Sequence, residues 1–128
     1  MAENEHKIAI IGMSCRAPSV KNIPEYWDGI RSGKNHLARI DADKNKLSDT
    51  DLRKYVPVHG SIGDFDLFDY AFFKMPFEDA RKIDPQHRLM IEVAYEAIED
   101  SGYAQTRSDD VFSVYIGARD STYNLRNL

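Results

Sequence analysis

Several features that would define a membrane, secreted or nucleic-acid-binding protein are missing from this sequence. It has one cysteine, Cys15, among 128 residues, so it cannot form an internal disulfide. No apolar run approaches the length of a membrane span, and the polar N-terminus lacks the apolar stretch and cleavage site of a signal peptide. The net charge is −4, and lysine and arginine are not clustered, which argues against nucleic-acid binding. These absences predict a cytoplasmic protein without a membrane or nucleic-acid partner.

Glycine is missing from the positions where a nucleotide-binding loop needs it. The apolar run KIAIIG ends at Gly12, as a strand that leads into a dinucleotide-binding loop does. That fingerprint requires further glycines at its third and sixth positions, where this sequence has Ser14 and Ala17. The residues therefore disfavour a nucleotide-binding α/β domain and favour a strand that leaves a sheet through a tight turn.

The residue types used in catalysis and metal binding do not form a complete pattern. Nothing in the sequence places a histidine beside Cys15, and free cysteines are more often small buried apolar residues. Asp64, Asp66 and Asp69 begin like a calcium loop, but the residues that an EF-hand needs at positions five, six and twelve are absent. The four histidines lack zinc spacing: His6, His36, His59 and His87. We therefore predict no catalytic, cofactor-binding or metal residue in this chain.

The strongest local pattern predicts a helix over residues 85–101. Asp84 is the predicted N-cap, and a proline follows it at the first helical position. Gly102 suits the left-handed position after the last turn. Arg88 and Glu92 have the spacing of an ion pair on the outer face. Two apolar rows run along the other side, comprising Leu89, Val93, Ala97, Met90, Ala94 and Ile98. The pattern is typical of a helix that docks on other parts of a protein.

Other patterns predict a second helix and an aromatic segment. Asn22 and Glu25 have capping-box spacing before an amphipathic helix that stops near Gly33. Residues 34–61 are predicted to be irregular, with at most a short helix around 48–55. A helical turn is expected around 77–83. Before it lie four aromatic residues that we interpret as core anchors: Phe65, Phe68, Phe72 and Phe73.

Two segments have the composition of strands buried on both faces of a sheet. They are KIAIIG at 7–12 and VFSVYIG at 111–117, each closed by glycine. With the helices between them, the order strand, helix, helix, strand predicts an α/β layered fold. Two such strands cannot form a sheet with both faces covered, since a strand pair alone is marginal in water. We therefore expect the chain to be the opening of a larger domain.

Three stretches taken together closely resemble the N-terminal part of β-ketoacyl synthase domains, above all ketosynthases of modular polyketide synthases and mixed polyketide–peptide assembly lines. They are IAIIGMSCRAP (8–18), FDLFDYAFF continuing into ARKIDPQHRLMIEVAYEAIEDSGY (65–103), and VFSVYIG (111–117). The chain departs from the usual family pattern at Ala17, where phenylalanine is common, and at Ser19, where glycine is common. It also lacks the common Gly-Gly-Phe near HGSIGDF.

The resemblance implies the fold and the chemistry. The fold expected is α/β, the N-terminal portion of a thiolase-like ketosynthase fold, incomplete in this chain and usually homodimeric. The implied reaction is a decarboxylative Claisen condensation of acyl and malonyl-type units carried as phosphopantetheine thioesters on acyl carrier protein. A cysteine in an Ala-Cys-Ser-Ser motif attacks the thioester, and two histidines assist. All three family residues would lie beyond Leu128, and Cys15 matches a different cysteine, that of the Met-Ser-Cys-Arg loop.

These inferences predict a polar extension at residues 1–6 and a ketosynthase segment at 7–128, truncated before the nucleophile motif. The chain alone is predicted to be inactive and to bind no cofactor or metal. Its expected partners are the remainder of the ketosynthase domain, acyl carrier protein and a second copy in the intact enzyme. The alternative is a natural short interaction module that complements a partner chain.

Overall fold

The computed structural model describes residues 7–40, 48, 53–54, 56–103, 111–121 and 123. The chain divides into two compact units. One contains residues 15–67, and the other contains residues 1–14 together with 68–128. The second unit therefore joins two parts of the chain that are far apart in sequence.

Helix α1, Ile23–Ser32, lies in the unit of residues 15–67 and begins as predicted at Asn22. The Asn22 side chain accepts a hydrogen bond from the Glu25 amide at 2.9 Å. The Glu25 carboxylate accepts from the Lys21 amide at 2.8 Å, so the reciprocal half of the capping box is displaced by one residue. The helix ends at Gly33, whose φ of 64° is readily adopted by glycine. The caps thus confirm the predicted helix.

Two short strands form within the stretch that we predicted to be irregular. Strand β1, Ala38–Arg39, pairs antiparallel with β2, Val58–His59, so that Ala38 lies opposite His59. Two-residue strands have no alternating pattern to detect, and their hydrogen bonds depend on residues far along the chain. Most of the short helix predicted around 48–55 lies outside the described residues.

The second unit contains helix α2, Phe77–Ala80, and the long helix α3, Pro85–Asp100. Both begin where the sequence predicts them, but α2 ends three residues before the predicted 83 and α3 one residue before the predicted 101. Asp84 is the N-cap of α3, and its side chain accepts from the Gln86 amide at 2.9 Å. Gly102 has a φ of 75°, in the left-handed region that glycine adopts after a last helical turn.

The two segments predicted as buried strands do not form strands in the structure. Residues 7–12 and 111–117 make no β-ladder within the part of the chain that is described, and both are largely exposed. Ile8 is 95% exposed and Val111 is 93% exposed. A strand buried on both faces needs neighbouring strands to bond its amides and carbonyls and layers to cover its side chains. The composition of these segments is that of strands, but the described residues supply neither the neighbouring strands nor the covering layers.

The interior of the described structure is correspondingly small. Its buried hydrophobic residues are Val20 and Ala80, one in each unit. On α3, one apolar row is half-buried (Leu89, Val93 and Ala97) and the neighbouring row is exposed (Met90, Ala94 and Ile98). None of the described helices combines the length and apolar character that crossing a bilayer requires.

The predicted ion pair between Arg88 and Glu92 is wrong. Arg88 is only 9% exposed, and its Nε atom has no hydrogen-bond partner. The prediction rested on i,i+4 spacing alone, which places two residues near each other on a helix without deciding which face is covered. The position of Arg88 instead belongs to the side of α3 that is covered.

Candidate functional site

The N-terminal end of α3 is built around the buried carboxylate of Asp84. Its oxygens accept hydrogen bonds from the Ser121 hydroxyl and from the Gln86 amide. The bond from Ser121, followed by that from Gln86, lowers the pKa of Asp84 below its usual value, with a smaller contribution from the charge of His87. Asp84 therefore both caps the helix and holds a residue 37 positions further along the chain.

Two further hydrogen bonds attach the segment 119–123 to the same end of the unit. The Gln86 side-chain amide donates to the Arg119 carbonyl at 3.1 Å. The Tyr123 hydroxyl donates to the Arg81 carbonyl at 3.2 Å, just before α3 begins. Side chains of the Asp-Pro-Gln sequence at the start of α3 thus form hydrogen bonds to the polypeptide that follows the second apolar segment.

The C-terminal end of α3 holds the polypeptide that follows the first apolar segment. The Met13 amide donates to Asp100 Oδ2 at 2.9 Å, and the Ser14 hydroxyl donates to Glu96 Oε2 at 2.6 Å. Gly12 lies so close to the helix that a Cβ atom there would be 2.7 Å from the Ser101 nitrogen and closer still to the Ala97 carbonyl. Gly12 therefore packs against a helix end, which leaves no room there for the pyrophosphate of a dinucleotide.

An open apolar groove of about 530 Å³ lies beside this C-terminal end. The end of the first apolar segment and the beginning of the second both reach it, and the last turns of α3 form another wall. Its lining residues are Ile11, Gly12, Ala97, Ile98, Ser101, Tyr103, Val111 and Phe112. The groove has the size of a small-molecule pocket, but it is open, and the described residues that line it include no fully buried polar side chain to orient a substrate.

Aromatic rings cover the middle of α3. Phe73 stacks on Phe68 with ring centroids 5.2 Å apart and meets Phe72 and Tyr95 edge to face at 5.0 and 5.9 Å. Phe72 also meets Tyr95 edge to face at 5.0 Å. These are favourable geometries for aromatic pairs. A hydrogen bond to Glu99 raises the pKa of the Tyr95 hydroxyl, with burial and the Glu99 charge acting in the same direction.

The interpretation of the four phenylalanines as core anchors needs correction. Phe68 and Phe73 are half-buried, whereas Phe72 is 53% exposed and Phe65, in the other unit, is 51% exposed. The rings cover one another and α3 rather than filling a core, because no second layer is present over them in the described residues.

The residues considered for catalysis and metal binding are dispersed. Cys15 is half-buried in the Met-Ser-Cys-Arg loop. His59 and His87 are exposed, His6 lies outside the described residues, and His36 is described below. Within the described residues, no three side chains of histidine, cysteine, aspartate or glutamate are grouped so that they could hold a metal ion.

The three aspartates of the calcium-like sequence are surface groups in the structure. Asp64 pairs with Lys21 at 3.0 Å, with both side chains largely exposed. Asp69 caps a turn by accepting from the Phe72 amide at 2.9 Å, and Asp66 is exposed. The three side chains are thus solvated carboxylates set among aromatic residues.

His36 packs over Gly29 on α1 in a way that the sequence did not indicate. Its ring lies where a Cβ atom of residue 29 would be, so a larger residue there would require the ring to shift. Both ring nitrogens are buried without a hydrogen-bond partner. The His36 ring thus packs the loop that follows α1 against the helix.

Comparison with known proteins places the chain in a family. The model of the β-ketoacyl synthase N-terminal domain matches residues 5–128. The chain belongs to this family. It is 38% identical over 129 aligned positions to the non-reducing polyketide synthase Preu3 of Preussia isomera, and 36% identical over 129 to the polyketide synthase PksL of Bacillus subtilis. These matches cover 94% of this chain but only 5% and 3% of the two relatives.

A solved relative supports the same assignment. The ketosynthase from module 6 of the bacillaene synthase of Bacillus subtilis superposes with a TM-score of 0.66 and 37% identity. The superposition covers 74% of this chain and 17% of that ketosynthase. The chain therefore has the N-terminal portion of the thiolase-like ketosynthase fold, as the sequence predicts.

Two contacts at the start of α3 have no counterpart in the sequence pattern. Local pattern predicts a helix start at Asp84-Pro85-Gln86, whereas the structure also gives Asp84 and Gln86 partners at Ser121 and Arg119. A capping aspartate and a glutamine are common at helix starts, so the sequence held no signal that these side chains also bind a distant segment.

Proposed function

We propose that this chain is the N-terminal structural portion of a ketosynthase that acts in polyketide biosynthesis. The complete enzyme would condense carrier-bound acyl and malonyl-type units by a decarboxylative Claisen reaction. Residues 7–128 would form the ketosynthase segment and residues 1–6 a polar extension. The nucleophilic cysteine and two histidines would come from polypeptide outside this chain, and Cys15 would take no part in the chemistry.

One observation carries this proposal: α3 holds the ends of two apolar segments that lack sheet partners in the described residues. Ile8, Ile10, Val114 and Tyr115 are all more than three-quarters exposed. Apolar surface of this extent is characteristic of an interface. The chain spans 17% of the solved bacillaene ketosynthase. The polypeptide that would cover these segments is therefore the remainder of the ketosynthase domain.

The partners follow from the same proposal. The acyl and extender units would arrive as phosphopantetheine thioesters on acyl carrier protein, so the segment itself would hold no cofactor. The intact enzyme would be a homodimer. An interaction module that complements a separate partner chain is the second candidate, because the exposed segments fit it equally well. The reading frame after the codon for Leu128 separates the two: an Ala-Cys-Ser-Ser motif in frame supports the first, and a stop codon supports the second.

Activity measurements test the proposal directly. The chain is incubated with an acyl-pantetheine thioester and malonyl-charged carrier protein, and mass spectrometry follows acylation of the protein and formation of condensation product. We expect neither from the chain alone. Acylation of Cys15, or any condensation product, would contradict the proposal. A Cys15→Ala variant is the control that identifies the acylated residue.

A further inference from the structure

The most unusual charged group in the described structure is Arg88, in the second turn of α3. It is 9% exposed, yet its Nε atom makes no hydrogen bond. Guanidinium groups keep their positive charge in proteins, so burial cannot be relieved by losing a proton. A buried charge is ordinarily paired and hydrogen-bonded, and a buried donor without an acceptor is rare enough to require an explanation.

The two carboxylates nearest to Arg88 along the helix do not pair with it. Asp84, one turn earlier, uses its oxygens for the Gln86 amide and the Ser121 hydroxyl. Glu92, one turn later, has interactions of its own, but Arg88 is not among its partners. The Nε donor of Arg88 thus has no acceptor within the described residues, although α3 itself is well formed.

We propose that Arg88 is an anchoring cation that binds a carboxylate side chain of the polypeptide that completes the ketosynthase domain. A carboxylate fits because a guanidinium offers Nε and one terminal nitrogen as parallel donors, which match its two oxygens. This inference rests on the proposed function, since it takes the partner from the part of the domain that the chain does not span. It adds a named residue and a chemical class of partner to the apolar interface described above.

The inference predicts that replacing Arg88 does not harm the isolated chain but weakens the assembled domain. Without its partner, Arg88 is a buried charge that an apolar residue of similar volume could replace at no loss. With its partner, removing one member of a buried pair leaves the other charge uncompensated and weakens the assembly strongly. A residue that merely supports α3 would weaken both states.

The experiment compares Arg88→Met and Arg88→Lys with the unchanged chain, and uses Arg31→Met as a matched control, because Arg31 is an exposed arginine in the last turn of α1. Circular dichroism and amide hydrogen exchange first measure α3 in each isolated chain. We expect α3 in Arg88→Met to be as helical and as protected as in the unchanged chain, or more so. Loss of the helix in this variant would overturn the inference.

Binding is then measured to the part of the bacillaene module 6 ketosynthase that follows the region matched by this chain. Isothermal titration calorimetry gives the Kd of each variant. We expect Arg88→Met to weaken binding by about 30-fold or more. Arg88→Lys should bind with an affinity between those of the unchanged chain and Arg88→Met, because lysine keeps the charge without the paired donors. Arg31→Met should bind as the unchanged chain does.

The outcomes separate the two proposals. If the unchanged chain does not bind, the proposed function fails and the role of Arg88 fails with it. If it binds and Arg88→Met binds equally well, the proposed function stands and the role of Arg88 is wrong. Changing each acidic residue of the complementing polypeptide to its amide should reveal one whose effect is not additive with Arg88→Met. Additive effects at every acidic residue would contradict a carboxylate partner.

Discussion

The backbone amide of Met13 donates a hydrogen bond to the carboxylate of Asp100 across 87 residues of sequence. The bond is 2.9 Å long, and the Ser14 hydroxyl adds a second bond to Glu96 one turn earlier. Together with Gly12, these residues fasten the end of the first apolar segment to the last turn of α3. At its other end the same helix binds residues 119–123 through Asp84 and Gln86. The helix therefore connects the end of the first apolar segment to the polypeptide that follows the second.

The close approach of Gly12 to α3 predicts a large effect of a single methyl group. In Gly12→Ala the added Cβ would overlap the Ala97 carbonyl and lie 2.7 Å from the Ser101 nitrogen. Overpacking of this kind costs about 1–3 kcal/mol. Amide hydrogen exchange in residues 96–103, measured by mass spectrometry, should accelerate by roughly 5- to 150-fold. Gly117→Ala is the control, because that position is surrounded by open space. Equal effects of the two substitutions would contradict the contact.

Ser19 is expected to gain stability from a change to glycine. It has a φ of 58° in the turn closed by the pair Ala17 and Val20, and it follows a proline, as in a type II turn. A left-handed residue with a Cβ costs about 1–2 kcal/mol, of which glycine would recover part. Exchange of the Val20 amide, which donates to the Ala17 carbonyl, should slow by up to about fivefold in nuclear magnetic resonance measurements. Ser61→Gly lies outside the positive-φ residues and should bring no gain.

The lowered pKa of Asp84 predicts that α3 loses stability in acid. Because the bonds from Ser121 and Gln86 hold the folded-state pKa below the ordinary value of 3.8, the stabilisation is complete above that value. It is lost as the pH falls through the lowered pKa. Circular dichroism at 222 nm from pH 6 to pH 1 should therefore show less helix at the acid end. Asp84→Ala, which removes the capping oxygen, should have less helix at neutral pH and a flatter acid limb, whereas Asp28→Ala, an exposed change on α1, should retain the wild-type profile.

The aromatic cluster on α3 predicts unequal roles for two phenylalanines. Phe73 contacts three other rings, and each such pair contributes about 0.5–1.5 kcal/mol beyond simple burial. Phe73→Ala should therefore destabilise the unit by about 2 kcal/mol or more and remove the ring-current shifts of the Tyr95 ring protons. Phe65→Ala should leave those shifts unchanged, because Phe65 belongs to the other unit and is half exposed. Unchanged Tyr95 shifts in Phe73→Ala would show that the rings are not packed in solution.

Local patterns in the sequence were sufficient to locate the helices. Asn22 and Gly33 bound α1, and Asp84 and Gly102 bound α3, because capping is decided by residues within one turn of each helix end. The three stretches that resemble ketosynthases led to the family and the fold class, which the family match confirms. Composition also identified residues 7–12 and 111–117 as apolar segments suited to a sheet.

The tertiary structure decided which partners those residues have. It pairs Met13 with Asp100 and Ser121 with Asp84, buries Arg88 against the expectation that it pairs with Glu92, and leaves the two apolar segments without strand neighbours in the described residues. A local pattern specifies a conformation because its interactions are made within a few residues. Sheet pairing, burial and the hydrogen bonds at the two ends of α3 require groups that are distant in the chain. No short stretch of sequence contains both members of such a pair.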